Sequence, residues 1–457
     1  MELKKALLKN FLASGWGKVS AVIFRLIQVP ILLTMLGVED YGRWLVLYTL
    51  PSWLSLANLG FGSVAGNDIS MAIGQNDFEK ARRIYSSTLQ VVSYILIIGL
   101  VILLPIALFV PWDSFLQLPA GRHTEIMWVI IWFSLSTLLS FYGEVFQARF
   151  RAAHKAHTFI YLYSFRPWVE LLAMITILQF SKRLDHLALA VLGSTILFII
   201  SAQWISQRAM PSLSYSPGLV QKGLLRWLFR KGLAFQAFPL GNALIFQGNI
   251  LVVQLILGPV AVAIFGSVRT LVRSINQMLE LINQVMWPEL SHLFGKGELQ
   301  KAARLHRIGV ALSIAIAFFF VLVLGLFGDK LFAFWTGNAF TMPRTLLLLF
   351  LLPIPFNSLW FTSSVIHMAS NKHEGLAVRY LIAMVLAVVG CVVLSYFFGL
   401  EGAAISTVIA DIILIPYVFS VSLSLTGDTF EKFMQGIRED AQLIPKYFKK
   451  TITLIRR

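Results

Sequence analysis

The sequence predicts an all-α polytopic membrane protein of about 12 transmembrane helices, arranged as two six-helix bundles related by a pseudo-two-fold axis along the membrane normal. Three observations lead there. The 457 residues are 57% hydrophobic and only 13% charged, whereas a soluble chain keeps about a quarter of its residues charged. Apolar runs long enough to cross about 30 Å of hydrocarbon recur along the whole length. Short motifs in the first half return in the second at a fixed offset. The spans must be helices, because lipid offers the backbone no hydrogen-bond partner.

In order, the apolar runs place spans at 11–36, 43–66, 84–110, 125–148, 159–180, 184–207, 232–257, 259–288, 308–328, 345–368, 376–398 and 402–425. They divide the chain into a first bundle (1–207), a linker (208–231), a second bundle (232–425) and a basic tail (426–457). No loop leaves room for a further soluble domain. The opening MELKKALLKN runs straight into the first span without a small-residue cleavage site, so no cleavable signal is expected. The net charge of +16 is a topology signal. The two termini and the loops on their side carry 27 of the 38 Lys and Arg, the opposite loops carry 5, and 6 lie within or at the edges of spans. The positive-inside rule then puts both termini in the cytoplasm, and nucleic acid is not needed to explain the charge. The tail, DTFEKFMQGIREDAQLIPKYFKKTITLIRR, mixes apolar and basic residues. It reads either as a segment lying on the inner leaflet or as a solvated basic extension. Cys391, the single cysteine, lies in an apolar run and reads as buried filler.

The repeat is clearest in two basic loops, GQNDFEKARRIY at 74–85 and GKGELQKAARLH at 295–306, which align at an offset of 221. The same offset places Leu36-Gly37 on Leu257-Gly258, and Tyr41-Gly42 matches Phe265-Gly266 after a small insertion. Six spans per copy is an even number, so both halves enter the membrane the same way round. That is the parallel-repeat plan of many transporters, with a substrate path between the bundles.

Polar residues inside the spans give that path its chemistry. Lys18 and Arg25 are seven residues apart and share one face of the first span, with Gln28 nearby. A cation near the bilayer centre costs roughly 2.5–3.5 kcal/mol on insertion scales. Lys18 sits near enough to the cytoplasm to snorkel, and Arg25 could instead pair with a buried carboxylate. In the eighth span Arg269, Arg273, Asn276, Glu280 and Gln284 follow at steps of 4, 3, 4 and 4, a continuous polar stripe. The seventh span pairs Asn242 with Asn249 and Gln247 with Gln254, again seven apart, and the second contributes Asn58. Arg166 and Glu170 stand at i and i+4 and read as a local pair. Glu144, Glu280 and Asp411 are candidates for ion coupling, with interbundle pairing or capping open for Glu144 and Asp411. Four cations, Lys18, Arg25, Arg269 and Arg273, would make a positive chamber suited to phosphate, which Arg binds bidentately. Lys18, Arg25, Gln28, Asn242, Asn249, Arg269, Arg273 and Asn276 are therefore the expected substrate-binding set. No metal site is expected: His154 and His157 lack supporting ligands in sequence.

The stretch VPILLTMLGVEDYGRWLVLYTLPSWLSLANLGFGSVAGNDIS, with GQNDFEKARRIYSST after it, resembles the polysaccharide (O-antigen) flippases, the Wzx-type transporters of the multidrug/oligosaccharidyl-lipid/polysaccharide (MOP) superfamily. Pro30, Leu36-Gly37, Tyr41-Gly42, Trp53-Leu54, Asn58-Leu59-Gly60 and the basic loop carry the likeness. The resemblance implies two six-helix bundles that move an undecaprenyl-pyrophosphate-linked oligosaccharide from the inner to the outer leaflet of a bacterial inner membrane. It implies no cofactor beyond a coupling ion, H+ or Na+. Its partners would be the lipid-linked oligosaccharide, membrane lipids and other polysaccharide assembly proteins. Twelve spans favour the surface-polysaccharide branch over the fourteen-span lipid II flippases. No phosphate-binding loop of the form G-x-x-x-x-G-K-[ST] occurs, so ATP is not the expected energy source. Three other readings compete: a multidrug exporter of the same superfamily, opposed by the sign of the cavity charge; a polysaccharide polymerase or ligase, opposed by the short external loops; and a scaffold, which leaves the polar stripes unexplained.

Overall fold

The computed structural model describes residues 2–58, 65–66, 68–69, 72–73, 75–116, 121–221, 223, 236–370 and 372–441. Their regular structure is entirely helical. Eight helical stretches among them are long and apolar enough to cross a membrane. Two of these, Ala237–Gly295 with 59 residues and Glu374–Thr426 with 53, would measure about 90 and 80 Å if straight, far beyond a bilayer. Each breaks at a glycine in the left-handed region, Gly258 (φ 84°) and Gly399 (φ 60°). Each therefore supplies two spans. With the shorter Val38–Leu54 and Ala156–Leu178, the expected twelve helices are present in an all-α polytopic membrane protein.

We label them α1 (Glu2–Leu36), α2 (Val38–Leu54), α3 (Phe78–Phe109), α4 (His123–Ala152), α5 (Ala156–Leu178), α6 (Leu184–Ala209), α7 (237–257), α8 (259–295), α9 (Leu299–Thr336), α10 (Arg344–Ala369), α11 (374–398) and α12 (400–426). A final helix, α13, covers Phe430–Ala441. Several helices outrun their apolar cores: α3 begins six residues before the expected span, and α9 runs from 299 to 336 against an expected 308–328. Capping explains the early start of α3, where the Asp77 carboxylate accepts from the Lys80 amide at 2.9 Å. Within α10, Leu351 and Ile354 bracket a break at Pro353, where proline withholds a backbone donor. Leu59, Gly60 and the rest of the expected second span to residue 64 lie outside the described residues, as do 224–235 and 442–457.

The duplication is visible in backbone geometry. Gly37 (φ 82°, ψ 167°) and Gly258 (φ 84°, ψ 178°) hold the same extended left-handed conformation at the predicted offset. The basic loops share two turn hydrogen bonds. Asn76 donates to Ile73 O and Asp77 to Ala72 O; 221 residues on, Gly297 donates to Phe294 O and Glu298 to Leu293 O. Asn76 (φ 60°) and Gly297 (φ 71°) sit at the same turn position. A second correspondence, at 217, joins the turns after α4 and α10: Lys155 donates to Phe150 O at 2.8 Å, Lys372 to His367 O at 3.0 Å.

The chain divides into two compact units, Met1–Ala263 and Ile264–Arg457. In the first, α4 lies at the centre, packed on α2, α3 and α6, while α5 bridges α1 and α6. Phe146, Phe150, Phe159 and Phe198 form an aromatic core there. After α6 the chain is strapped to α3: Ser86 and Ser87 hydroxyls accept from the Ser216 and Gln221 amides, and Arg82 Nε donates to Ser214 O at 3.1 Å. In the second unit α10 packs on α9 and on the α11–α12 pair. The first part of the expected tail docks onto that unit as α13, with Phe433 buried against Phe419 and His306 and Arg307 paired with Asp428 at 2.7 Å. Residues 430–441 of the expected tail are thus a helix seated on the second unit, with Phe430 and Met434 exposed on it.

Candidate functional site

The polar residues of the first unit fall into three groups. Lys18, Arg25 and Gln28 are half-buried on α1. The helix is seated on α5 by the neighbouring face: Trp168 Nε1 donates to Ser20 Oγ at 2.7 Å, and Phe24 meets Trp168 edge-on at 5.8 Å. Arg25 lies within electrostatic reach of the Tyr48 hydroxyl, as do Arg166, Glu170 and Tyr163. Arg25 thus joins a cluster containing a buried carboxylate, since Glu170 is buried. Arg166 and Glu170 are tied to α6 as well as to each other's field: Arg166 donates to Thr195 Oγ1 at 2.7 Å, and Glu170 accepts from Ser194 Oγ at 3.5 Å.

The second group is Glu144 with Asn58. The Asn58 amide, on a 3-10 turn after α2, donates to Glu144 Oε1 at 2.6 Å. Arg151, two turns along α4, adds a positive field at Glu144. Spacing alone offered Glu144 no partner, because 86 residues separate the pair.

The third group, on α7, departs from expectation. Asn242 and Asn249 do not share a face: Asn242 is exposed and Asn249 is buried. A π-helical turn, Leu244–Gly248, lies between them. One extra residue in a turn rotates the rest of the helix by about 100°, so a seven-residue spacing no longer returns to the same side. Neither end of the Asn249 amide has a hydrogen-bond partner among the described residues, although a buried amide normally finds one. Gln254, one turn further, donates to Leu116 O at 2.8 Å.

In the second unit, the α8 stripe is present. Arg269, Arg273, Asn276 and Glu280 are half-buried, and Gln284, which donates to Glu280 Oε1 at 3.3 Å, is exposed. Arg269 lies 5.3 Å from the centre of the Phe265 ring, itself buried against Phe350. Arg269 and Arg273 are one turn apart and repel each other. At a separation of about 6 Å and an effective dielectric near 20 this is about 3 kcal/mol. An anion between them would convert that repulsion into attraction. Cys391, buried within the unit, lies near Arg269.

Asp411 on α12 is buried and accepts twice at one oxygen, from Trp360 Nε1 at 2.7 Å and Asn357 Nδ2 at 3.0 Å. The Trp360 ring meets Tyr380 at 6.2 Å, and Tyr380 lies in the field of Arg273. The arginine of the stripe and the buried acid are thus linked through two aromatic side chains. Trp360, Asn357 and Tyr380 carried no signal in the sequence, since an aromatic in an apolar helix reads as core. No group of three or more His, Cys, Asp and Glu able to hold a metal occurs among the described residues.

At the end of the first unit with few basic residues, Asp40 pairs with Arg43 and Arg122, and Glu125 accepts from the Leu184 amide at 2.7 Å. Burial works against the Arg122 guanidinium, but its hydrogen bond to Asp40 and the charges of Glu125, Asp40 and Glu39 outweigh that and hold it above the ordinary arginine value.

No protein-family model matches this chain, and no curated protein matches it. Solved structures share its fold. An inward-facing multidrug resistance MATE family transporter of the MOP superfamily is 16% identical, with a TM-score of 0.71 over 89% of this chain and 94% of that one. Lipid II flippase MurJ, in an inward closed conformation, is 13% identical, with a TM-score of 0.66 over 97% and 93%. A MOP superfamily transporter from Pyrococcus furiosus, described as having a binding pocket of reverse polarity that suggests a different function, is 15% identical, with a TM-score of 0.60 over 93% and 97%. The fold is therefore that of the MOP superfamily transporters.

Proposed function

We propose that the chain is a flippase. Its substrate would be an undecaprenyl-pyrophosphate-linked oligosaccharide, an O-antigen or related surface-polysaccharide repeat unit. It would move that lipid from the cytoplasmic to the outer leaflet of a bacterial inner membrane, with both its own termini cytoplasmic. The observation that carries the reading is the half-buried Arg269–Arg273 pair, one turn apart on a membrane-spanning helix, with Lys18 and Arg25 on α1 of the first unit. Guanidinium groups suit a diphosphate, which spreads charge over several oxygens. Gln28, Asn249 and Asn276 would add neutral hydrogen bonds to sugar hydroxyls; the Asn249 amide, buried without a partner among the described residues, would have to be uncovered to do so. Asn242, exposed on its helix, is a weaker candidate.

The two six-helix halves, 1–207 and 232–425, would rock about the bound headgroup while the polyprenyl chain stays in lipid. A proton or sodium gradient would act through Glu144, Glu280 or Asp411. Other polysaccharide assembly proteins would hand over and receive the lipid, and nucleic acid plays no part. The likeness to a MATE transporter supports multidrug export as a second reading. Four cations within the spans argue against it for cationic drugs.

The test is leaflet translocation of a fluorescent polyprenyl-pyrophosphate oligosaccharide in proteoliposomes, comparing the natural sequence with Arg25→Ala and Arg273→Ala at matched amounts of folded protein. Flipping lost in both variants supports the reading. Equal flipping in all three makes these arginines structural. No flipping by the natural sequence under any ion gradient, alongside export of an organic cation, moves the function to drug transport.

A further inference from the structure

A cavity of about 670 Å³ opens in the first unit, on the side that carries the basic loops. Three helix ends build it: the first turns of α1, the turn between α4 and α5, and the last turn of α6. Lys9, His154, Lys155, His157, Trp204 and Arg208 line it, and among the described residues no acidic side chain does. Burial, then the charges of Lys9 and Lys155, hold the His157 imidazole below its ordinary range. The cations therefore converge on one space.

The turn is rigidly placed. Lys155 donates to Phe150 O and His154 to Arg151 O, with His154 in the left-handed region (φ 55°). This is the reciprocal hydrogen-bond pattern that closes many helices. Phe150 at its base is buried against Phe159. The corresponding turn after α10 repeats the hydrogen bond through Lys372, but Glu374 comes soon after it. The purely cationic lining is thus not a by-product of the duplicated turn.

A second observation indicates what the cavity holds. On α6, Leu197, Ile200, Trp204 and Arg208 fall at steps of 3, 4 and 4, on one face, and all four are exposed. Arg208 stacks on the Trp204 ring at 3.7 Å. The face therefore changes from aliphatic to aromatic to cationic over about three turns, ending at the cavity. Aromatic rings favour the headgroup level of a bilayer, and basic pockets at helix ends on the cytoplasmic side bind lipid phosphates. Free phosphate would have no use for the exposed apolar track beneath.

We infer that this cavity is a binding site for the phosphate headgroup of an anionic lipid in the adjoining leaflet, with the acyl chains lying along the exposed face of α6. The site is independent of the arginines on α8 and of any transported substrate.

The full chain, delipidated in detergent, would be titrated with phosphatidylglycerol, phosphatidylcholine and inorganic phosphate, and bound lipid counted by native mass spectrometry. Phosphatidylglycerol binds, phosphatidylcholine binds much more weakly, and phosphate competes only at far higher concentration. Each cation removed weakens binding roughly fivefold, so Lys155→Gln with Arg208→Gln weakens it about 25-fold. Lys155→Arg with Arg208→Lys retains it, and so does Arg273→Gln. Should the double variant fail to fold, Lys155→Gln alone is expected to lose about fivefold. Undiminished binding in the neutral variants overturns the inference. So does equal binding of phosphatidylcholine, and full competition by phosphate at equal concentration would assign the site to a soluble anion.

Discussion

Arg149 offers a sharp test of how the first unit is held together. It is among the largest fully buried side chains, 1% exposed, at the end of α4. Its Nε donates to Leu213 O at 2.8 Å and one terminal nitrogen donates to Gln203 Oε1 at 2.9 Å. Its guanidinium carbon lies 4.3 Å from the centre of the buried Tyr85 ring. One side chain thus joins α4, α6, α3 and the start of the strap after α6. Arg149→Met removes two charge-assisted bonds worth about 1.5–3 kcal/mol each and a buried cation–π contact of about 2 kcal/mol. Methionine recovers about 2 kcal/mol by burying its apolar body. The net loss is about 3–6 kcal/mol. For a unit of 263 residues this lowers Tm by roughly 6–12 °C, at about 2 °C per kcal/mol. Arg149→Lys keeps the charge and one bond and loses about half as much. Thermal unfolding in detergent reads the shift, and limited proteolysis between residues 213 and 221 reads release of the strap. A Met variant that melts within about 2 °C of the natural protein, with the strap still protected, would refute this account.

Other positions test other links. Phe433→Ala removes a buried ring from the contact with Phe419 and His306, costs about 3–5 kcal/mol locally, and should expose α13 to trypsin at Lys432; unchanged protection would mean that the Arg307–Asp428 pair suffices. Asp411→Asn leaves an oxygen for Trp360 and Asn357 and should fold normally, yet lose any acceleration of translocation by an imposed pH gradient; persistent acceleration makes Asp411 structural. Gly37→Ala and Gly258→Ala each force a side chain into a left-handed, extended backbone at a cost of about 1–3 kcal/mol, read as similar drops in Tm, since the two glycines share one conformation. The hydrogen bond from Lys301, at 2.7 Å, holds the Glu298 carboxyl below its usual range. Its contribution is therefore present above the unfolded value of about 4.3 and lost as pH falls through the lower folded value. Hydrogen-exchange protection in the first turn of α9, after correction for the intrinsic pH dependence of exchange, should fall on acidification in the natural protein and be insensitive to it in Lys301→Gln.

The helical architecture was legible because membrane passage constrains composition directly: each crossing needs a long apolar run, and the runs stood out. The duplication was legible because two of its marks are glycines and small turns, whose backbone demands survive in sequence. Long-range polar contacts were not legible. Glu144 finds Asn58 across 86 residues, and Asp411 finds Trp360 across 51; no periodicity records such pairings. The face assigned to Asn242 and Asn249 failed for a local reason, the π-turn between them, which apolar spacing cannot reveal. Arg149 counted only as a loop cation in the charge balance, whereas its side chain is buried and holds the strap. The basic tail concealed a docking residue, because one phenylalanine among charges looks incidental until its neighbours are known.

The two copies agree in backbone and differ in polar content, and that contrast bears on mechanism. Tyr163 and Tyr380 occupy equivalent places at the 217-residue offset. Tyr163 shares the surroundings of Tyr48 with Arg25 and Arg166, and Tyr380 lies in the field of Arg273. At the same offset Ser194 stands where the other copy has Asp411. Ser194 serves Glu170 on a neighbouring helix, while Asp411 draws donors toward itself. The first unit thus keeps acids on α4 and α5, and the second keeps Glu280 on α8 and Asp411 on α12. Backbone turns recur because both halves must cross the same bilayer by the same path. Buried charge costs several kcal/mol wherever it lies, so unequal placement is not a neutral drift among equivalent sites. Under the proposed flippase function, unlike charges on a duplicated frame would let one set of groups hold an anion while another gains or loses an ion as the frame changes state.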